Sequence, residues 1–108
     1  MERKTKTYQL LIYEAHLLGD IEKCLKIIDR FGTYFYIKHY KDTEAAHYHF
    51  YFVSENFTDE FQIKTLFEKY VASRVHVEKA RMDKYSMINY MLQDDKYSFK
   101  DIKATMSL

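Results

Sequence analysis

Residues 46–53 read Ala46-His47-Tyr48-His49-Phe50-Tyr51-Phe52-Val53. Aromatic and β-branched side chains suit a pleated, half-buried surface, so this run is expected to be a strand. Successive strand residues face opposite ways. Tyr48, Phe50 and Phe52 therefore share one face, which is wholly aromatic and reads as core. His47, His49, Tyr51 and Val53 share the other, and its two imidazoles lie about 7 Å apart along the chain. This strand calls for a sheet with one packed face and one face with room for a site.

Working outward, Tyr8 to Glu14 (YQLLIYE) reads as a first strand, apolar and nearly fully buried. Asp20 to Phe31 reads as a helix, with Ile21, Cys24, Leu25, Ile28 and Phe31 on one face. Gly32 stands where a left-handed helix cap is expected. Thr33 to His39 (TYFYIKH) is a second strand, and residues 46–53 are the third. Thr58 suits a helix N-cap, with Asp59 and Glu60 in the first turn and Ile63, Leu66, Phe67 and Tyr70 on the buried face. Arg74 to Glu78 is a short fourth strand, and Asp83 to Gln93 a third helix. The order βαββαβα predicts an α+β fold of the ferredoxin-like (RRM-like) kind. It would have an antiparallel sheet, helices on one face and an additional C-terminal helix. Many functions use that fold, so the fold alone decides nothing about activity.

With 108 residues and 47% hydrophobic content, the chain is expected to be a single domain, 1–108, with an ordinary core. It has no proline and two glycines, so linkers and low-complexity stretches are not expected. The formal net charge of +1 argues against gripping long duplex DNA by charge alone. Cys24 is the one cysteine, which excludes an internal disulfide and a cysteine-based zinc site. Neither a signal peptide nor a membrane-spanning run is evident, so a cytoplasmic location without membrane contact is expected. Eleven Tyr and eight Phe are compatible with a tyrosine-rich core or with a surface on which bases stack.

Two imidazoles on one open sheet face can hold one divalent ion, although a bare His-x-His tripeptide is common by chance. Its flank sharpens the reading. His39-Tyr40-Lys41-Asp42 ends the second strand, and a hairpin joins it to the third. His39, Asp42, His47 and His49 can therefore converge as three imidazoles and a carboxylate, a donor set for Mn2+ or Mg2+, with zinc open as well. On the third helix Tyr85, Ile88 and Leu92 make the apolar stripe. Tyr90 lies off that stripe beside Ser86 and Asp83, available for chemistry or simply half exposed.

Taken together the pattern resembles the HUH endonucleases, and within them the initiators of small rolling-circle plasmids. The shared features are the His-x-x-Asp segment at His39 to Asp42 and the His-Tyr-His-apolar run at His47 to Val53. Tyr90-Met91-Leu92-Gln93 matches their Tyr-Leu-x-His-like helix, and Lys96-Tyr97-Ser98-Phe99-Lys100-Asp101-Ile102 echoes a later segment. The resemblance covers Tyr8 to Ile102. Gln93 departs from it, standing where those proteins often have histidine, and the 108 residues are expected to hold the catalytic domain alone, without an oligomerisation or helicase domain.

The resemblance implies that Tyr90 is the nucleophile and that His39, Asp42, His47 and His49 hold the cation. It implies a 5′-phosphotyrosine link, a free 3′-hydroxyl and later rejoining. A free tyrosine titrates near pH 10, so the phenol must lose its proton as it attacks. The implied partner is single-stranded or hairpin-extruded origin DNA, with homo-oligomerisation in a full-length protein. Lys38, Lys41, Arg74, Lys79 and Arg81 are candidate backbone contacts, with solvated surface the plainer reading of each. Three other readings compete. A non-catalytic module would stack single-stranded nucleic acid on the open sheet face, indifferent to metal. A single-tyrosine transposase or a relaxase would share the chemistry. A purely structural protein would make both motifs accidents.

Overall fold

The computed structural model describes residues 6–41, 45–55, 59–72 and 75–108. The elements run β1 (Lys6–Tyr13), α1 (Ile21–Ile28), β2 (Gly32–His39), β3 (His47–Ser54), α2 (Glu60–Phe67), β4 (His76–Lys79), α3 (Lys84–Leu92) and β5 (Lys103–Ala104). Short 3-10 turns lie at Glu14–His16 and Phe99–Asp101. The described strands form one antiparallel sheet in the order β4-β1-β3-β2-β5. This is an α+β fold consistent with a ferredoxin-like type. β5 was not anticipated. It pairs with two residues of β2, and Thr105 extends the contact through bonds to both backbone groups of Tyr34.

The alternation read in β3 holds across the sheet. Tyr8, Leu10 and Ile12 of β1, Tyr48, Phe50 and Phe52 of β3 and Val77 of β4 pack with Ile21, Cys24, Leu25 and Ile28 of α1 and Ile63 and Phe67 of α2. The opposite face carries a second apolar cluster. Phe35, Ile37 and Tyr51 meet Met87, Ile88 and Met91 of α3, then Tyr97 and Ile102. Each fully buried Phe or Ile contributes about 1.5–3 kcal/mol of transfer free energy, so both faces are held chiefly by apolar burial. The face read as open is thus half covered, with α3 and the C-terminal segment over the β2 side.

Several local expectations change. α1 stops at Ile28, because its last turn tightens: the Arg30 and Phe31 N–H groups reach the Ile27 and Ile28 carbonyls. Gly32 is not a left-handed cap but the first residue of β2, opposite Ser54. A Cβ there would lie 2.0 Å from the Val53 carbonyl oxygen, so close strand approach explains the glycine. The N-cap of α2 is Asp59, in a reciprocal capping box with Gln62. Thr58, assigned that role from sequence, lies outside the described residues, as do Asp42 and Arg74. In α3 the buried set is Met87, Ile88 and Met91, whereas Tyr85 is 66% exposed. The helix is rotated from its expected setting. No described helix is long and apolar enough to cross a membrane.

Candidate functional site

β2 and β3 place His39 directly opposite His47, with Ile37 opposite His49. His39, His47 and His49 therefore lie on the face shared with α3, as the alternation requires. The His39 and His47 ring centroids are 5.1 Å apart, and those of His39 and His49 6.0 Å. His39 and His49 are buried, at 2% and 8% exposure. His47 is half-buried at the rim, with its ring against the edge of Tyr13.

Hydrogen bonding fixes the proton positions. The His39 Nε2 lies 2.7 Å from the Met91 carbonyl oxygen, which can only accept, so Nε2 carries the hydrogen. His47 Nδ1 faces the Ala45 carbonyl oxygen at 3.0 Å and donates for the same reason. In the neutral rings, His39 Nδ1 and His47 Nε2 are then both lone-pair nitrogens, and they stand 3.2 Å apart. Two lone pairs at that distance must share a proton or a cation. Two imidazoles bound tetrahedrally at Zn–N of about 2.0–2.1 Å would have nitrogens roughly 3.3 Å apart, so the spacing fits one ion. The far N–H of each ring rests on a carbonyl oxygen, as metal-ligating histidines usually have it.

The third imidazole follows the same rule through side chains. His49 Nε2 meets the Gln9 Oε1 at 3.3 Å, and the Gln9 amide nitrogen donates to Glu78 Oε1 at 2.7 Å. Burial pushes the His49 ring down to about 4, and any charge on His39 and His47 adds to the shift. His39 is lowered too, first by burial, opposed by its bond to Met91, and further by His47. Burial thus favours the neutral rings of His39 and His49, which present lone pairs rather than charge. Among the described residues, no three His, Cys, Asp or Glu side chains are grouped so that they could hold a metal ion together. The 3.2 Å contact between His39 Nδ1 and His47 Nε2 becomes a hydrogen bond once a proton lies between them. Asp42, the expected carboxylate, lies outside the described residues.

Tyr90 comes to the same place from α3. Its ring stands edge-on to His49 at 5.9 Å, and the residue is 57% exposed. α3 begins at Asp83, whose carboxylate accepts from the Ser86 N–H at 2.8 Å. It ends at Gln93, which caps it in the left-handed conformation, and Asp94 and Asp95 continue left-handed. Nothing in the sequence signals that turn, since no glycine marks it. It carries the chain to Tyr97, a buried residue whose hydroxyl oxygen accepts from both the Tyr40 and Lys41 N–H groups at 2.7 Å. Tyr97 therefore pins the segment that leaves β2 just after His39.

An open cleft of about 450 Å³ gathers these groups, lined by His39, His47, His49, Tyr90 and Gln93 together with Gln9, Tyr13, His76 and Glu78. Sequence reading passed over the last four. Alternation along β1 and β4 puts Gln9, Tyr13, His76 and Glu78 on the histidine face, but only the register shows that they reach it. A larger groove of about 840 Å³ between α2 and β4 lies to one side and contains none of the three clustered imidazoles. The clustered imidazoles and Tyr90 line the smaller cleft.

The candidate cationic contacts are not gathered there. Lys38 faces the other side of the sheet, paired with Glu14 and lying 5.7 Å from the Tyr48 ring centroid. Lys41 donates to the Lys96 carbonyl and lies over the Tyr97 ring at 4.9 Å. Lys79 borders a shallow pocket with Lys6, Tyr8 and Asp59. Arg81 is exposed. Arg74 lies outside the described residues.

No protein-family model matches the chain, and comparison with curated proteins returns no match.

Proposed function

We propose that this protein is a metal-dependent nickase and strand transferase for single-stranded DNA, acting through Tyr90. The supporting observation is convergence: three imidazoles from β2 and β3 and one exposed tyrosine from α3 line the same cleft. The fold is read as a ferredoxin-like domain with the tyrosine helix appended. His39, His47 and His49, with Asp42 as the carboxylate, are the residues that would hold Mn2+ or Mg2+. Bound there, a divalent cation supplies charge stabilisation at the scissile phosphate.

The reaction conserves phosphodiester bonds. The Tyr90 oxygen forms a bond to phosphorus, and the bond from phosphorus to the 3′-oxygen breaks. The phenol gives up its proton, and the departing 3′-oxygen gains one. A 5′-phosphotyrosine link and a 3′-hydroxyl result, and attack by a 3′-hydroxyl reverses the step. Rolling-circle initiation on extruded origin DNA is the physiological role this chemistry suits. The open cleft fits a bent single strand, and exposed Tyr40, Tyr85 and Phe99 are available to stack on bases. A cytoplasmic location and an oligomeric full-length protein belong to the same reading.

The test incubates the protein with a pool of single-stranded and hairpin oligonucleotides and Mn2+, then resolves products on a denaturing gel. A covalent adduct that is lost in Tyr90→Phe and on chelation is expected. An adduct that survives Tyr90→Phe moves the nucleophile elsewhere. Binding without any adduct, equal with and without Mn2+, favours the non-catalytic module.

A further inference from the structure

His49 differs from its two neighbours in what holds it. His39 and His47 rest on backbone carbonyls, which no substitution removes. His49 rests on a side-chain chain that crosses three adjacent strands. Gln9 of β1 lies directly opposite Glu78 of β4 and diagonal to His49 of β3, on the same sheet face. A glutamine amide offers a donor and an acceptor, and flipping it exchanges them. Here the flip is settled by charge. The Glu78 carboxylate can only accept, so the Gln9 amide nitrogen faces it across 2.7 Å and the amide oxygen is turned to His49. That oxygen in turn accepts only, so the ring must present Nε2–H to it at 3.3 Å. Nδ1 is left as the lone-pair nitrogen of His49.

We infer that Gln9 and Glu78 are positioning residues that hold His49 in the tautomer with a bare Nδ1 and thereby tune its strength as a cation ligand. The inference deepens the proposed cation site and rests on it for the second half only. The tautomer belongs to the metal-free protein. A carboxylate–amide–imidazole chain also makes the ring more basic as a ligand, because a developing positive charge on it is relayed toward Glu78. Removing such an outer partner typically lowers metal affinity roughly 10- to 100-fold.

Two readouts test this. Ring 15N shifts of the metal-free protein report which His49 nitrogen carries the hydrogen, and Mn2+ titration followed by electron paramagnetic resonance reports affinity. Wild type should show Nε2–H. Gln9→Leu, close in volume and suited to a strand, should give mixed tautomers and a Mn2+ Kd raised about 10- to 100-fold. The exchange Gln9→Glu with Glu78→Gln keeps an acceptor toward His49 and a donor–acceptor contact between the strands, so it should restore both readouts. A dispersed amide spectrum in each variant certifies the fold. Nδ1–H in wild type, or Gln9→Leu with unaltered tautomer, overturns the inference. A shifted tautomer with unchanged Mn2+ affinity overturns its second half. If wild type takes up no Mn2+, the cation site itself fails, and the tautomer data still judge the chain from Glu78 to His49.

Discussion

His39 donates from Nε2 to the Met91 carbonyl oxygen across 2.7 Å, joining the end of β2 to the last turn of α3. The final carbonyls of a helix have no partner within it. One imidazole thus satisfies a helix end at Met91, the residue after Tyr90, and stands among the candidate cation ligands. This bond joins the histidine cluster to the helix that carries Tyr90.

His39→Ala should break that link. It strands a buried carbonyl and removes a donor, with an expected loss of about 1–3 kcal/mol in stability. Hydrogen exchange at the Tyr90 and Met91 amides should accelerate, and Mn2+ affinity should fall. His39→Gln can still donate to the carbonyl, so it should recover exchange protection without recovering Mn2+ affinity. Unchanged exchange in His39→Ala would remove the linkage.

Tyr97→Phe tests the pin on the segment after β2. The hydroxyl oxygen accepts two backbone N–H groups at 2.7 Å, and the ring is 3% exposed. Phenylalanine keeps the packing and orphans both donors, at an expected cost of about 1–3 kcal/mol. Urea denaturation measures it. A wild-type midpoint would mean that water replaces the hydroxyl without loss.

The buried histidines give stability a definite pH dependence. An unfolded histidine titrates near 6.5, whereas burial holds His49 at about 4. Between those values the unfolded chain binds the proton and the native state does not, so unfolding free energy rises with pH. The contribution is complete above about pH 6.5 and is lost as pH falls toward 4, by roughly 3 kcal/mol at most. His39 adds in the same direction. Melting from pH 4.5 to 7.5 should show this slope, and His49→Gln should flatten it. Parallel curves for the two proteins would assign the slope to other groups.

Gly32→Ala should be severely destabilising for a position with ordinary backbone angles. The added Cβ meets the Val53 carbonyl oxygen at 2.0 Å and the carbonyl carbon at 2.9 Å, neither of which can move without opening the β2–β3 ladder. A loss of about 2–4 kcal/mol is expected by chemical denaturation. A change under about 0.5 kcal/mol would contradict the register that places Gly32 against Ser54.

The core face of β3 and the buried stripe of α1 were legible in the chain, because each follows from a local period, whereas β1, expected to be nearly fully buried, buries only Tyr8, Leu10 and Ile12. α3 was misjudged for the same reason. Its apolar residues run nearly all round, so periodicity left its rotation open, and packing against Phe35, Ile37 and Tyr51 selected Met87 and Met91 over Tyr85 and Leu92. Two-residue β5 is too short to carry a pattern of its own.

The histidine face shows the same division. Strand alternation alone put His47 and His49 on one side, and a hairpin was enough to bring His39 opposite them. The sequence by itself determined that much, since backbone geometry repeats every two residues whatever the rest of the chain does. Which ring nitrogen carries hydrogen, which carbonyl anchors each ring, and whether Tyr90 reaches His49 were decided by the tertiary structure. For His39 and His49 those answers depend on Gln9, Glu78 and Met91, brought from 29 to 52 positions away in the chain only once strand register and helix rotation are set.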